Sequence, residues 1–130
     1  MFEKLRITSI TVLFLVILAP DCFAKWTIIK TDDNGSHYLD FDSVSYKGSF
    51  VYFWKLRDYE KDIYEEMSSK VYIEGDCGLF RYRFLIDKYY TLPMGQGMPS
   101  VINDIPETEW TSPSANALSY LFLTKVCRNN

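Results

Sequence analysis

Cys77, in the stretch YIEGDCGLFRYRFL, and Cys127, close to the C-terminus, stand about fifty residues apart, and the relation between them limits every fold open to the chain. Their compartment decides that relation, and the first residues, MFEKLRITSITVLFLVILAPDCFA, set the compartment. Lys4 and Arg6 give a basic start, Ile7 to Leu18 an apolar run, and Ala24 a small-residue ending with Cys22 two positions before it, which is the pattern of a secretory signal. The run is shorter than the about 20 apolar residues that span a bilayer, so no integral membrane segment is expected after cleavage. A lipoprotein signal would place a small residue directly before its cysteine, whereas Asp21 precedes Cys22. Residues 1–24 are therefore expected to be removed by ordinary cleavage after Ala24, leaving residues 25–130 as the mature chain.

Cleavage takes Cys22 with it. Two thiols in an oxidising compartment are expected to pair. The alternative is a zinc site, but tetrahedral zinc takes four ligands and His37 is the only histidine available to join Cys77 and Cys127. A bond closing a loop of about fifty residues adds about 4 kcal/mol in the chain-entropy description, a large share of a small domain's stability. The mature length suits one domain with one modest core. The leader carries two acids (Glu3, Asp21) and two bases (Lys4, Arg6), so removing it leaves the formal charge at the whole-chain value of −3. That mild acidity gives no nucleic-acid footprint.

Along the mature chain the periodicity is mostly that of strands. Trp26 to Lys30 and Ser36 to Phe41 flank TDDNGS, in which Asn34-Gly35 signals a hairpin because both residues tolerate positive φ. In FVYFWKLRDY, residues Phe50, Tyr52, Trp54 and Leu56 share one face, while Val51, Phe53, Lys55 and Arg57 share the other. EKDIYEEM is charged and breaks the alternation, so a loop or distorted edge is expected there. SSKVYIEGDC and LFRYRFLIDKYY read as a second hairpin turning at Gly78, with Phe80, Tyr82, Phe84 and Ile86 opposite Arg81, Arg83, Leu85 and Asp87. TLPMGQGMPS must be irregular, and Val101 to Ile105 is a candidate edge strand. The period then changes. Ser112 can cap a helix, Pro113 suits its first position, and Ala115, Leu118, Phe122 and Val126 form an apolar stripe. This helix has almost no charge before Lys125 and Arg128, so it needs cover that only the sheet can supply. Cys127 at its end would then reach Cys77 at a strand end.

Trp26, YLDFDSV at Tyr38 to Val44, FWKLRDY at Phe53 to Tyr59, SSK at Ser68 to Lys70, Asp76-Cys77, MGQG at Met94 to Gly97, Trp110, SPS at Ser112 to Ser114 and Cys127 occur in an order that resembles the surface-adhesin protein E family of small exported bacterial proteins. The resemblance covers nearly the whole mature chain and rests on order and spacing. It implies an α+β fold, an antiparallel sheet of about six strands with a C-terminal helix tethered across one face by a disulfide, in agreement with the independent reading. It also implies the envelope of a Gram-negative bacterium, whether periplasm or cell surface.

Candidate chemistry is sparse. His37 has no second histidine, Asp40 and Asp42 lack a glycine-centred calcium loop, and MGQG lacks the lysine and following helix of a phosphate loop. No catalytic residue, metal or cofactor is expected. Arg81, Arg83 and Lys88 with Tyr82, Tyr89 and Tyr90 instead form a basic aromatic group of the kind enriched at binding hot spots. Its other reading is a sheet face buried on one side and solvated by arginines on the other. The function expected is an exported protein-binding module, adhesin-like, with an unidentified protein partner; the alternative is a periplasmic structural or inhibitory protein without a host ligand.

Overall fold

The computed structural model describes residues 25–63 and 65–128; the expected leader and its cleavage site lie outside them. Among the described residues seven strands, β1 (Thr27–Asp32), β2 (Gly35–Leu39), β3 (Ser45–Lys47), β4 (Phe50–Ile63), β5 (Glu66–Asp76), β6 (Arg81–Tyr90) and β7 (Val101–Asn103), precede one α-helix, α1 (Leu118–Arg128). All pairings are antiparallel, in the order β1-β2-β4-β5-β6-β7. β2 and β3 follow one another along the same edge of β4, pairing with its middle (residues 55–58) and its first residues (50–52) respectively. The short 3-10 turn Phe41–Ser43 separates them, and Asp40 caps it by accepting from the Asp42 N–H at 3.0 Å. Seven strands therefore make a sheet six strands wide, as expected.

The first hairpin turns one residue earlier than the Asn-Gly signal suggests. Asp33 and Asn34 form the turn, the Asn34 N–H donating to the Asp32 carboxylate at 2.9 Å, and Gly35 already belongs to β2. Glycine is needed there because φ is +117° and a Cβ would fall 2.0 Å from the Asp58 carbonyl oxygen. The charged run after Asp58 is a distorted continuation of the sheet: β4 continues to Ile63, with a break in register between Asp58 and Ile63.

One face of the sheet is covered by α1. Leu39, Val51, Phe53 and Ile73 meet Phe122, Leu123 and Val126, all at most 4 % exposed. Burying each helix side chain contributes about 1.5–3 kcal/mol, which an isolated helix of this length needs to persist in water. Gly75 lets the helix approach, since a Cβ there would sit 2.8 Å from both Leu123 Cδ1 and Val51 Cγ1. At the far end the Tyr46 hydroxyl donates to the Val126 carbonyl at 2.6 Å, satisfying a group the helix leaves open. Cys77 and Cys127 are bonded to each other, with Cα atoms 5.6 Å apart. The disulfide-tethered helix is present, and the zinc alternative for these thiols is overturned.

The helix starts later than its sequence signals. Ser112 to Ala117 are not helical; Thr111 instead exchanges both backbone hydrogen bonds with Tyr82, at 2.8 and 2.9 Å, and the Glu107 N–H donates to the Phe84 carbonyl at 2.9 Å. The chain is thus bound to the free edge of β6 as far as Thr111. It needs the next six residues, Pro113 and Ala115 among them, to cross from that edge onto the sheet. The stripe is accordingly Leu118, Phe122 and Val126, without Ala115.

Lys55 lies on the helix side, its ammonium 5.0 Å from the centre of the Phe122 ring. Burial, aided by the nearby Arg57 charge, lowers its pKa to about 8.

Candidate functional site

Among the described residues no α-helix lies over the second face of the sheet; only the short 3-10 turn Pro93–Gly95 covers its Leu56–Lys70 end. Cross-strand register sets its rows: Phe50 lies opposite Asp76 and Asp76 opposite Arg81; Tyr52 opposite Glu74 and Glu74 opposite Arg83; Trp54 opposite Tyr72 and Tyr72 opposite Ile86; Leu56 opposite Lys70 and Lys70 opposite Lys88. This is the face that the alternation in FVYFWKLRDY marks as apolar throughout. Phe50, Tyr52, Trp54 and Tyr72 are half-buried there. Trp54 stacks on Tyr72 with ring centres 4.9 Å apart, and Tyr52 lies 6.3 Å from the same ring.

The arginines are held, not loosely solvated. Arg81 Nε donates to Asp76 at 3.1 Å, and Arg83 Nε donates to Glu74 at 2.6 Å. The carboxylate side chains are only 6 % and 11 % exposed and those of the arginines about a third. Burial alone would raise the Asp76 carboxyl pKa, but hydrogen bonds from the Leu79 N–H, Arg81 and the Gly78 N–H outweigh it and hold the pKa below the usual value. Glu74 also accepts from the Tyr52 hydroxyl at 2.6 Å, and that bond, together with burial, raises the tyrosine pKa. Trp110 completes the arrangement. The pairing of Thr111 with Tyr82 places its ring 4.6 Å from the Arg81 guanidinium carbon and 4.5 Å from that of Arg83, and 6.0 Å from the Phe50 ring. Phe50, Tyr52, Glu74, Arg83, Trp110 and the Lys47–Ser49 turn border a shallow, open hollow of about 550 Å³.

The six residues of the basic aromatic group do not form one surface. β6 carries a bulge at Leu85, visible as the step from Tyr72↔Ile86 to Ile73↔Phe84, and the bulge reverses the facing of everything after it. Arg81, Arg83, Lys88 and Tyr90 therefore share the open face, whereas Tyr82 and Tyr89 point to the helix side, with Tyr82 packed against the core. The same step turns Ile86 to the open face and Asp87 away from it. Sequence reasoning did not include Trp110, Trp54, Tyr72, Glu74 or Asp76 in the group. Hairpin register carried the signal for the acids: four turn residues, Cys77 to Phe80, join Asp76 to Arg81, which forces the Glu74–Arg83 pairing as well.

A second concavity lies further along this face. Trp26, Asp40, Trp54, Lys70, Lys88 and Tyr90 line a cleft of about 170 Å³. The Lys70 ammonium sits 5.0 Å from the Tyr90 ring centre and 5.8 Å from that of Trp26, and Lys88 sits 5.2 Å from that of Trp54. Burial, with a smaller contribution from Lys88, lowers the Lys70 pKa.

His37 is elsewhere, on the helix side and buried, with Nε2 3.3 Å from an Asp32 carboxylate oxygen and Nδ1 without a partner among the described residues. Burial, then the Lys55 charge, lowers its pKa against the opposing pull of Asp32. Among the described residues no group of three His, Cys, Asp or Glu side chains is arranged to hold a metal, and no helix is long and apolar enough to cross a membrane.

The sequence profile of a family described as surface-adhesin protein E matches residues 26–128. Solved structures of Haemophilus influenzae protein E have the same fold. Crystal form II is 19 % identical with a TM-score of 0.67, covering 86 % of this chain and 95 % of that one. The selenomethionine form is 18 % identical with a TM-score of 0.66, covering 86 % and 94 %. Protein E from non-typeable Haemophilus influenzae is 19 % identical with a TM-score of 0.64, covering 86 % and 82 %. No curated protein sequence matches the chain at a significant level.

Proposed function

The chain belongs to the surface-adhesin protein E family, and from that premise we propose that it is an exported, non-enzymatic protein-binding module that works as an adhesin-like envelope factor. Its binding surface is the open face of the sheet, centred on Phe50, Tyr52, Arg81, Arg83 and Trp110. The observation that carries this reading is the one-sided cover: α1 buries one face, while the other presents half-exposed aromatic rings interleaved with arginines already locked in geometry by Asp76 and Glu74. Aromatic residues and arginine dominate protein interfaces, and side chains fixed beforehand lose little entropy when a partner arrives. The protein reaches the periplasm or surface of a Gram-negative bacterium after cleavage following Ala24.

Capture from envelope extract and from host serum, in parallel for the mature protein and its variants, tests the proposal. A specific partner should be lost with Phe50→Ala and Trp110→Ala and kept with Lys125→Ala, which lies on the helix. Partners retained equally by all three variants would overturn the choice of face. Accessibility of the protein on intact cells then separates a surface adhesin from a periplasmic protein.

A further inference from the structure

The cations of the open face fall into two classes. Arg81 and Arg83 each have a carboxylate. Lys70 and Lys88 have none: neither makes an ion pair or a side-chain hydrogen bond among the described residues, and each ammonium faces aromatic rings. They are also directly opposed across the β5–β6 ladder, an arrangement in which like charges destabilise a sheet. Backbone presses Lys70 into this position. Gly95, at φ +62°, lies so close that a Cβ would meet Lys70 Cε at 2.3 Å, and its N–H is fixed by the Ser68 hydroxyl at 2.8 Å. In a chain with a net charge of −3, two uncompensated ammonium groups are thus built into the wall of a concave cleft.

Asp40 supplies the third element. It is 7 % exposed and lines the same cleft; one carboxylate oxygen accepts from the Asp42 N–H, and the other has no hydrogen bond among the described residues. Each feature demands something of an occupant. The lysines call for an anionic group, the faces of Trp26, Trp54 and Tyr90 for a flat apolar surface, and the free Asp40 oxygen for a hydroxyl donor. A cleft of about 170 Å³ has room for one ring-sized unit. We propose that this cleft binds a carboxylated sugar ring, its acid group between Lys70 and Lys88, its carbon face against the aromatic rings and a hydroxyl on Asp40. The site is separate from the Phe50–Trp110 end of the face, and it stands whether or not a protein partner binds there.

The tryptophans give a direct readout, because the chain has three: Trp26 and Trp54 line the cleft, and Trp110 is an internal control. The mature protein is titrated with glucuronate, with glucose and with inorganic phosphate while the indole N–H resonances are followed by NMR. Glucuronate should shift Trp26 and Trp54 saturably and leave Trp110 in place, with weaker binding at high salt; glucose and phosphate should not saturate at matched concentrations. Lys70→Met should weaken glucuronate tenfold or more, as loss of a charge-assisted hydrogen bond implies, with the Trp110 resonance unmoved. Lys88→Gln, at a less enclosed position, gives the same reading if Lys70→Met does not fold. No saturable shift, equal saturation by glucose or by phosphate, or undiminished affinity in Lys88→Gln would overturn the proposal.

Discussion

Lys55→Met should make the protein more stable at neutral pH, by an amount that disappears in alkali. The Lys55 ammonium is enclosed between β4 and α1, which lowers its pKa from 10.5 to about 8. A shift of about 2.5 units corresponds to roughly 3 kcal/mol of cost for keeping the charge in the folded state at pH 7. Its position over the Phe122 ring returns part of that through the cation–π attraction, about 0.5–2 kcal/mol. Methionine has similar length and keeps a favourable contact with the ring, so the net gain expected is about 1–3 kcal/mol. The pH dependence carries the sign. Between pH 8 and 10.5 the unfolded chain binds a proton at this residue that the folded chain has released, so wild-type stability rises with pH through that window relative to a variant without the group. Urea unfolding of both proteins in a pH series from about 7 to about 10.5 measures the difference directly. A gain that is constant across the series, or a loss at neutral pH, would show that the ammonium is not desolvated by the helix and that the packing of α1 on β4 is misdescribed.

Three other outcomes are expected. Cys77→Ser and Cys127→Ser should each destabilise the protein by about 2–5 kcal/mol, and the double variant by little more than either, because both break one link; thiol labelling of unfolded, unreduced protein should find no free thiol in the mature chain. Gly75→Ala should cost about 1–3 kcal/mol in urea unfolding, since its Cβ would meet Leu123 and Val51 at 2.8 Å, whereas Gly48→Ala, where nothing lies within 4 Å but φ is +61°, should cost only about 1 kcal/mol. Mature protein from the native host should begin at Lys25, and an N-terminal mass showing a diacylated Cys22 would contradict the cleavage reading.

Strand periodicity, turn residues and the two cysteines made the architecture legible, because each reports a local requirement: alternate faces, positive φ, an oxidising compartment. Three features depended on contacts distant in sequence and were not legible in this way. The bulge at Leu85 has no glycine or proline to announce it, yet it brings Lys88 and Tyr90 onto the face of Arg81 and Arg83, where simple alternation would set them on the opposite one. Ser112 and Pro113 are good helix-starting residues, but hydrogen bonds between Thr111 and Tyr82 hold the chain on the sheet edge until too late for them to serve. The arginines at Arg81 and Arg83 looked like a choice between a site and a solvated edge. Their carboxylate partners hold them in fixed geometry and change what substitution would do: alanine at both would strand Glu74 and Asp76, which are 8 % and 4 % exposed, so stability should fall along with any binding.

The central claim is that the open face, and not the helix side, meets a protein partner, and binding by matched variants on the two faces tests it most directly. Trp110→Ala removes the ring that lies over Arg81 and Arg83, while Tyr120→Ala removes an exposed ring from the helix side, where it packs on Phe80. Dissociation constants for a captured partner, measured at a temperature where both variants are fully folded, should rise tenfold or more for Trp110→Ala, as expected for an aromatic hot spot worth about 2 kcal/mol, and stay within about twofold of wild type for Tyr120→Ala. The reverse order, or an equal loss in both, would contradict the account.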